Sequence, residues 1–295
     1  MRVGVTAWKF GTNGIAANLA EQGKIAEQIG FDSFWLPENH FNGTSSVPTP
    51  LMLLATIAVR TTTIGLGTSS YLLTIRNPIQ AAEEVAVLDQ LSGGRVILGI
   101  GRGYRDELFK VFSVPPKYKR KRFKANLEAM IHAWQGEPII DGDEPIVLAP
   151  LPVQKPYPRI WVAAFGPLAI KQAGTLGLPY IASPTESIST LEANYAAHRQ
   201  HVADSGDIII DTVPVMRTVF ISNNTSVLKS VRNAVVADDI DEYTIIGDEA
   251  FAADKIAEYE ERLGLNYLIA RGRIPGIESD LQIESHEALA KILHL

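Results

Sequence analysis

The 295-residue sequence predicts an α/β fold, a (β/α)8 TIM barrel with insertions, on three observations. Strand patterns begin near residues 2, 32, 63 and 95, at intervals of 30, 31 and 32 residues. Repeated βα units of that length belong to parallel strands joined by crossover helices. The strands at 64–68 and 95–101 are short apolar runs, as strands buried on both faces are. Finally, no Gly-x-Gly-x-x-Gly follows the first strand, and in Gly99-Ile100-Gly101-Arg102-Gly103 the third glycine is replaced by Tyr104. The closed barrel is therefore expected over an open dinucleotide-binding sheet.

Each element has its own signal. Residues 2–8 alternate Val3, Val5 and Ala7 on one face, as in a strand. Residues 18–29 place Leu19, Ile25, Ala26 and Ile29 at helical spacing, and Gly30 ends that helix. The strand at 31–37 leads into Glu38-Asn39-His40-Phe41, then a Gly/Ser/Pro-rich loop to Pro50 and a helix at 51–60. A helix at 78–91 joins the third and fourth strands. The helix at 117–134 carries Phe123, Leu127, Met130 and Ile131 on one face. Residues 137–158 are rich in proline and turn formers and are expected as an insertion with a hairpin about Asp141-Gly142-Asp143. Strands at 159–164, 180–182, 211–221 and 266–270, with helices at 167–176, 191–201, 251–263 and 279–293, complete eight pairs. No low-complexity linker divides them, so one domain spanning 1–295 is expected.

Composition narrows the function. The 46% hydrophobic content supports a large core, and a net charge of −6 argues against a nucleic-acid partner. No cysteine is present, which removes disulfides, thiolate metal sites and cysteine nucleophiles. No apolar run approaches the ~20 residues of a membrane span, and no leader precedes the first strand, so a cytoplasmic protein is expected. His198 and His201 lie three apart on a helix without a third ligand, so a solvated face and no metal site are expected.

Ligands of such barrels bind where strands end, which directs attention to 38–41, Thr68-Ser69-Ser70 and Arg102-Gly103. Arg102 suits a phosphate gripped by paired N–H bonds, or an ion pair with Asp106. His40 suits a general base or a structural role. Trp8, Phe10 and Tyr71 wall a substrate pocket or pack the barrel. The basic stretch 117–124 reads as an exposed helix start.

Four stretches resemble the bacterial luciferase-like family of flavin-dependent oxidoreductases. They are Gly30-Phe31-Asp32-Ser33-Phe34-Trp35 leading to Glu38-Asn39-His40-Phe41; residues 63–78; Leu88-Asp89-Gln90-Leu91-Ser92-Gly93-Gly94-Arg95 leading to Gly99 and Arg102; and Leu151-Pro152-Val153-Gln154-Lys155-Pro156. The resemblance implies a flavin, FMN or alternatively a deazaflavin coenzyme. Its phosphate would lie on Arg102 and the backbone of Phe165 and Gly166, before a helix whose family hydroxyl is replaced by Ala169. The ring would lie on Ser69 and Ser70, joined by a non-prolyl cis peptide, with Pro37, Ala163 and Ser183 also lining it.

His40 and Asn39 are the expected catalytic positions. Asn39 stands where luciferases carry the first of two histidines, and His40 matches the second, which resembles the histidine of deazaflavin-dependent dehydrogenases. The resemblance implies a monooxygenase that uses reduced FMN and oxygen on a small organic substrate, fed by a separate flavin reductase, and a homodimer. Its alternatives are deazaflavin-dependent hydride transfer, a non-catalytic flavin-binding barrel and a phosphosugar isomerase barrel.

Overall fold

The computed structural model describes residues 1–11, 14–43, 46–235 and 239–295; positions 44 and 45 of the loop before Pro50 lie outside it. In chain order the strands are β1 (Arg2–Thr6), β2 (Ser33–Leu36), β3 (Gly65–Thr68), β4 (Tyr71–Leu72), β5 (Val96–Gly101), β6 (Arg159–Ala163), β7 (Tyr180–Ile181), β8 (Pro214–Ile221), β9 (Thr244–Gly247) and β10 (Tyr267–Arg271). The helices are α1 (Ile15–Ile29), α2 (Pro50–Ala58), α3 (Pro78–Ser92), α4 (Asp106–Val111), α5 (Lys119–Trp134), α6 (Pro167–Thr175), α7 (Ile188–Ala203), α8 (Thr225–Ala234), α9 (Glu249–Leu263) and α10 (Ser279–Leu293).

Parallel pairing runs β7–β6–β5–β3–β2–β1–β10–β8, and a bridge from Ala182 to Val215 joins the two ends. The result is an eight-stranded β/α barrel. β4 lies beside β5, and β9 pairs only the far end of β8, so both stand outside the ring. The seam between β7 and β8 is held by one backbone bond, from Ala182 N to Pro214 O at 3.4 Å. Side chains supply the rest. The Tyr195 hydroxyl lies 2.6 Å from Pro214 O and 3.2 Å from Tyr180 O. Arg217, fully buried, donates to Ser183 O at 2.9 Å, to Glu186 O at 2.8 Å and to the Tyr259 hydroxyl at 2.6 Å.

The helices begin and end where their residues dictate. Asn77 accepts from the Ile79 and Gln80 amides and Pro78 opens α3, filling positions whose N–H groups lack helical partners. Gly30 ends α1 at φ 106°, in the left-handed region where glycine carries no steric penalty. Side-chain alternation along β2 sends its residues into two different core clusters. Phe34 and Leu36 join the large outer cluster under the helices. Trp35 points into the barrel with Ile97, Trp161, Ile181, Met216, Tyr267 and Ile269. It stacks on Trp161 at 5.1 Å, while Tyr267 meets Trp161 edge-on at 4.8 Å and bonds Ser33 Oγ at 2.7 Å. The barrel interior is a packed aromatic plug, which forms the floor for anything bound above it.

All eight expected strand–helix pairs are present. The expected hairpin in the insertion is a single antiparallel bridge between Ile140 and Ile146. Four elements were not expected: β4, α4, α8 and β9. β4 and β9 hold two and four residues, too few to display a period.

Candidate active site

At the carboxyl ends of the strands lies a cavity of about 460 Å³, within the ~300–1,000 Å³ of small-ligand sites. Five consecutive ring strands feed it: β2 through 37–41, β3 through Ser69 and Ser70, β5 through 101–105, β6 through 163–165 and β7 through 181–184. Ile181 and Met216, the top of the barrel plug, also line it. The structure therefore brings together Pro37, Asn39, His40, Ser69, Ser70, Arg102, Ala163, Phe165 and Ser183 from the sequence-predicted set. The Ser69–Ser70 peptide is cis. Glycines in β5 allow this packing, because a Cβ on Gly99 would meet the Thr68 carbonyl and one on Gly101 the Ser70 side chain. The glycine-rich strand end thus serves close backbone approach rather than a nucleotide loop.

Three expected pocket residues lie elsewhere. Trp8 is buried, edge-on to Phe34 and to His286, because the end of β1 is covered by α10. Tyr71 is also buried. Alternation along β4 turns Leu72 toward the cavity and Tyr71 away from it. Its ring lies 3.9 Å under the Arg76 guanidinium, its hydroxyl donates to Glu84 at 3.0 Å, and burial pushes its pKa upward. Phe10 packs half-buried against the outer core, under Arg273. Gly166 does not line the cavity; at φ 80° it caps the start of α6, where no side chain caps the free amides.

Arg102 is half-buried and, among the described residues, its guanidinium has no ion pair; Asp106 does not reach it. Burial first, and Arg120 second, lower its pKa. A cation desolvated without a carboxylate partner is an open anion site. Its backbone is pinned, since Thr74 donates to the Arg102 carbonyl at 2.6 Å.

Glu38 also lines the cavity, an organising group that the sequence reading missed. Its buried carboxylate sits 2.6 Å from His40 Nε2 and 3.1 Å from Arg76 Nη2, and it accepts from the Leu72 amide at 2.8 Å. A carboxylate already accepting from Arg76 and Leu72 takes the Nε2 proton of His40 as a third donor, which leaves Nδ1 as the acceptor. His40 is walled by Phe41 and Phe112, with centroids at 5.7 and 5.1 Å. The signal was in the sequence: an acidic residue two positions before a histidine at a strand end, where both point to the same side.

His198 departs from the expected solvated face. It is buried, with Nε2 2.9 Å from the Leu178 carbonyl, and burial lowers its pKa. Among the described residues no group of acidic and histidine side chains is arranged to hold a metal ion, and no helix is long and apolar enough to cross a membrane.

A half-buried cation, an oriented histidine and an apolar floor at the carboxyl rim of a β/α barrel make a ligand site where barrel enzymes carry theirs. The family model described as luciferase-like monooxygenase matches residues 3–227, and the chain belongs to that family. The oxygenase component of a flavin-dependent trigonelline monooxygenase from Acinetobacter baylyi is 31% identical over 150 residues, 49% of this chain and 42% of that protein. The chain spans about half the length of the curated relatives it matches. Among solved structures, the oxygenating constituent of 3,6-diketocamphane monooxygenase from Pseudomonas putida, in complex with FMN, has a TM-score of 0.84 at 18% identity over 99% of this chain and 97% of that one. An F420-dependent secondary alcohol dehydrogenase has a TM-score of 0.80 at 17% identity, covering 99% of this chain and 98% of that one.

Proposed function

We propose that the protein is an FMN-using monooxygenase that oxidises a small organic substrate with reduced flavin and oxygen, the reduced flavin coming from a separate reductase. The observation that carries this reading is Arg102, a half-buried guanidinium with no ion pair among the described residues, lining the same cavity as Phe165 at the approach to α6. That arrangement suits a ligand with a phosphate at one end and a flat apolar body. The residues fit a flavin mononucleotide. Arg102 and the Phe165 amide would hold the phosphate, and Ser69, Ser70, Pro37, Ala163 and Ser183 would line the ring. Bound there, the cofactor supplies the redox chemistry and the protein supplies orientation and a dry wall.

In this reading His40 is the proton-handling residue. Glu38 holds its Nε2, which leaves Nδ1 to accept a proton or a hydrogen bond. Asn39 stands beside it in the cavity lining as an amide that donates and accepts without titrating. The second reading, deazaflavin-dependent hydride transfer, draws on the single histidine at this strand end and on the F420-dependent neighbour. Mass and absorbance of the compound released from purified protein, with oxygen uptake on adding reduced FMN, separate the two. FMN release with oxygen uptake is expected; a deazaflavin with no oxygen uptake would replace the first reading by the second.

A further inference from the structure

Six of the eight residues at 117–124 are cationic and none is acidic, on a chain whose net charge is −6. The fold does not spread this charge over a free face. Lys119 lines the rim cavity, while its neighbour Arg120 and, one turn on, Lys124 line a second groove of about 560 Å³. The groove lies between α5 and α6, which are tied by Gln172, whose side-chain amide donates to the Arg120 carbonyl at 3.3 Å. The α6 wall supplies Leu168, Lys171, Gln172 and Thr175. Its one carboxylate, Glu128, is within 3.5 Å of Lys124, an exposed pair that leaves Arg120 and Lys171 uncompensated. Residues close in sequence line the two cavities, Lys119 and Arg120 on α5, Phe165 and Leu168 about the start of α6.

We propose that the α5–α6 groove is an outer anion site, which receives the phosphate of the incoming mononucleotide and passes it to Arg102. This inference rests on the flavin reading above and adds a route of entry to it. Like charges on facing walls, with a single carboxylate between them, favour occupation by a dianion. A net-negative protein repels an anionic ligand except where positive potential is concentrated, and such local potentials raise association rates by about 10- to 1,000-fold. Arg120 acts on both sites, since it lines the groove and its charge reaches Arg102.

The test is stopped-flow association of oxidised FMN, with riboflavin, which lacks the phosphate, as the control ligand. The variant combines Arg120→Gln, Lys124→Gln and Lys171→Gln, none of which lines the rim cavity. At low salt its association rate with FMN should fall by about tenfold or more, with a smaller change in dissociation and riboflavin association unchanged. The two proteins should converge near 1 M salt, where the screening length is ~3 Å. The charge-keeping set Arg120→Lys, Lys124→Arg and Lys171→Arg should retain the wild-type rate. Equal association rates at every salt concentration, a change confined to dissociation, or equal slowing of riboflavin would overturn the outer site while leaving the flavin reading standing. Absence of FMN binding by the wild-type protein would overturn that reading instead.

Discussion

His40 Nε2 lies 2.6 Å from Glu38 Oε1, and the same oxygen lies 3.1 Å from Arg76 Nη2. One carboxylate oxygen thus joins a cavity histidine to a cation stacked over Tyr71, behind the cavity wall. The histidine is held from behind, by a group with no side-chain exposure of its own.

Glu38→Gln removes that charge and leaves Arg76 uncompensated in a largely buried place. Breaking a buried pair from one side costs about 3–5 kcal/mol, so the denaturation midpoint should fall accordingly. Urea unfolding of the variant checks this, and a shift below about 1 kcal/mol would mean the pair is structurally idle.

His40→Ala should leave flavin affinity unchanged and slow turnover. A flavin titration paired with oxygen-uptake kinetics reads both effects on one preparation. Turnover equal to wild type would assign His40 a structural role.

Arg102→Ala should weaken FMN binding by ~1.5–3 kcal/mol, about 10- to 150-fold in Kd, as for a hydrogen bond to a charged group. Riboflavin affinity should change little, because the lost partner is the phosphate. Fluorescence titration with the two ligands gives the comparison, and an unchanged Kd for FMN removes the phosphate assignment.

His286 predicts a pH dependence of stability. It is buried between Trp8 and Phe31, neither ring nitrogen has a hydrogen-bond partner among the described residues, and burial lowers its pKa from 6.5 to about 4. Between those values the unfolded chain binds the proton and the folded chain does not. The stabilisation is therefore complete above pH 6.5 and lost as pH falls toward 4, amounting to about 3 kcal/mol. His286→Leu should flatten that part of the profile, measured as urea midpoints at pH 7 and pH 4.5. A slope identical to wild type would show that other groups carry it.

The barrel was legible because its signals are local. The 30- to 32-residue spacing, the glycine at the end of α1 and the Asn77-Pro78 start of α3 all sit within a few residues of the feature they announce. Strand ends were legible for the same reason, so Ser69, Ser70, Arg102 and His40 fall on the cavity. Side-chain direction was not. Tyr71 sits one residue from two lining positions and points the other way, because β4 is a two-residue strand whose phase no pattern reveals. Trp8 was misplaced because its cover, α10, lies nearly three hundred residues along the chain, and no local rule reports that contact. Glu38 escaped notice because its partners Arg76 and Leu72 come from a different strand end. The basic stretch at 117–124 looked like a solvated helix start until the fold set it along two cavities.

Most of the barrel wall is a ladder of backbone bonds, but between β7 and β8 it is laced by Tyr195 and Arg217 across one bridge. Regions with few backbone bonds open at lower free energy than the global transition. Amide hydrogen exchange should therefore be fastest around Ala182 and Val215 among the ring strands. The same lacing positions Ser183 and Met216 in the cavity lining. On warming, the protein should lose its ligand before it loses its helices, so a thermal inactivation curve would run ahead of the circular-dichroism melt.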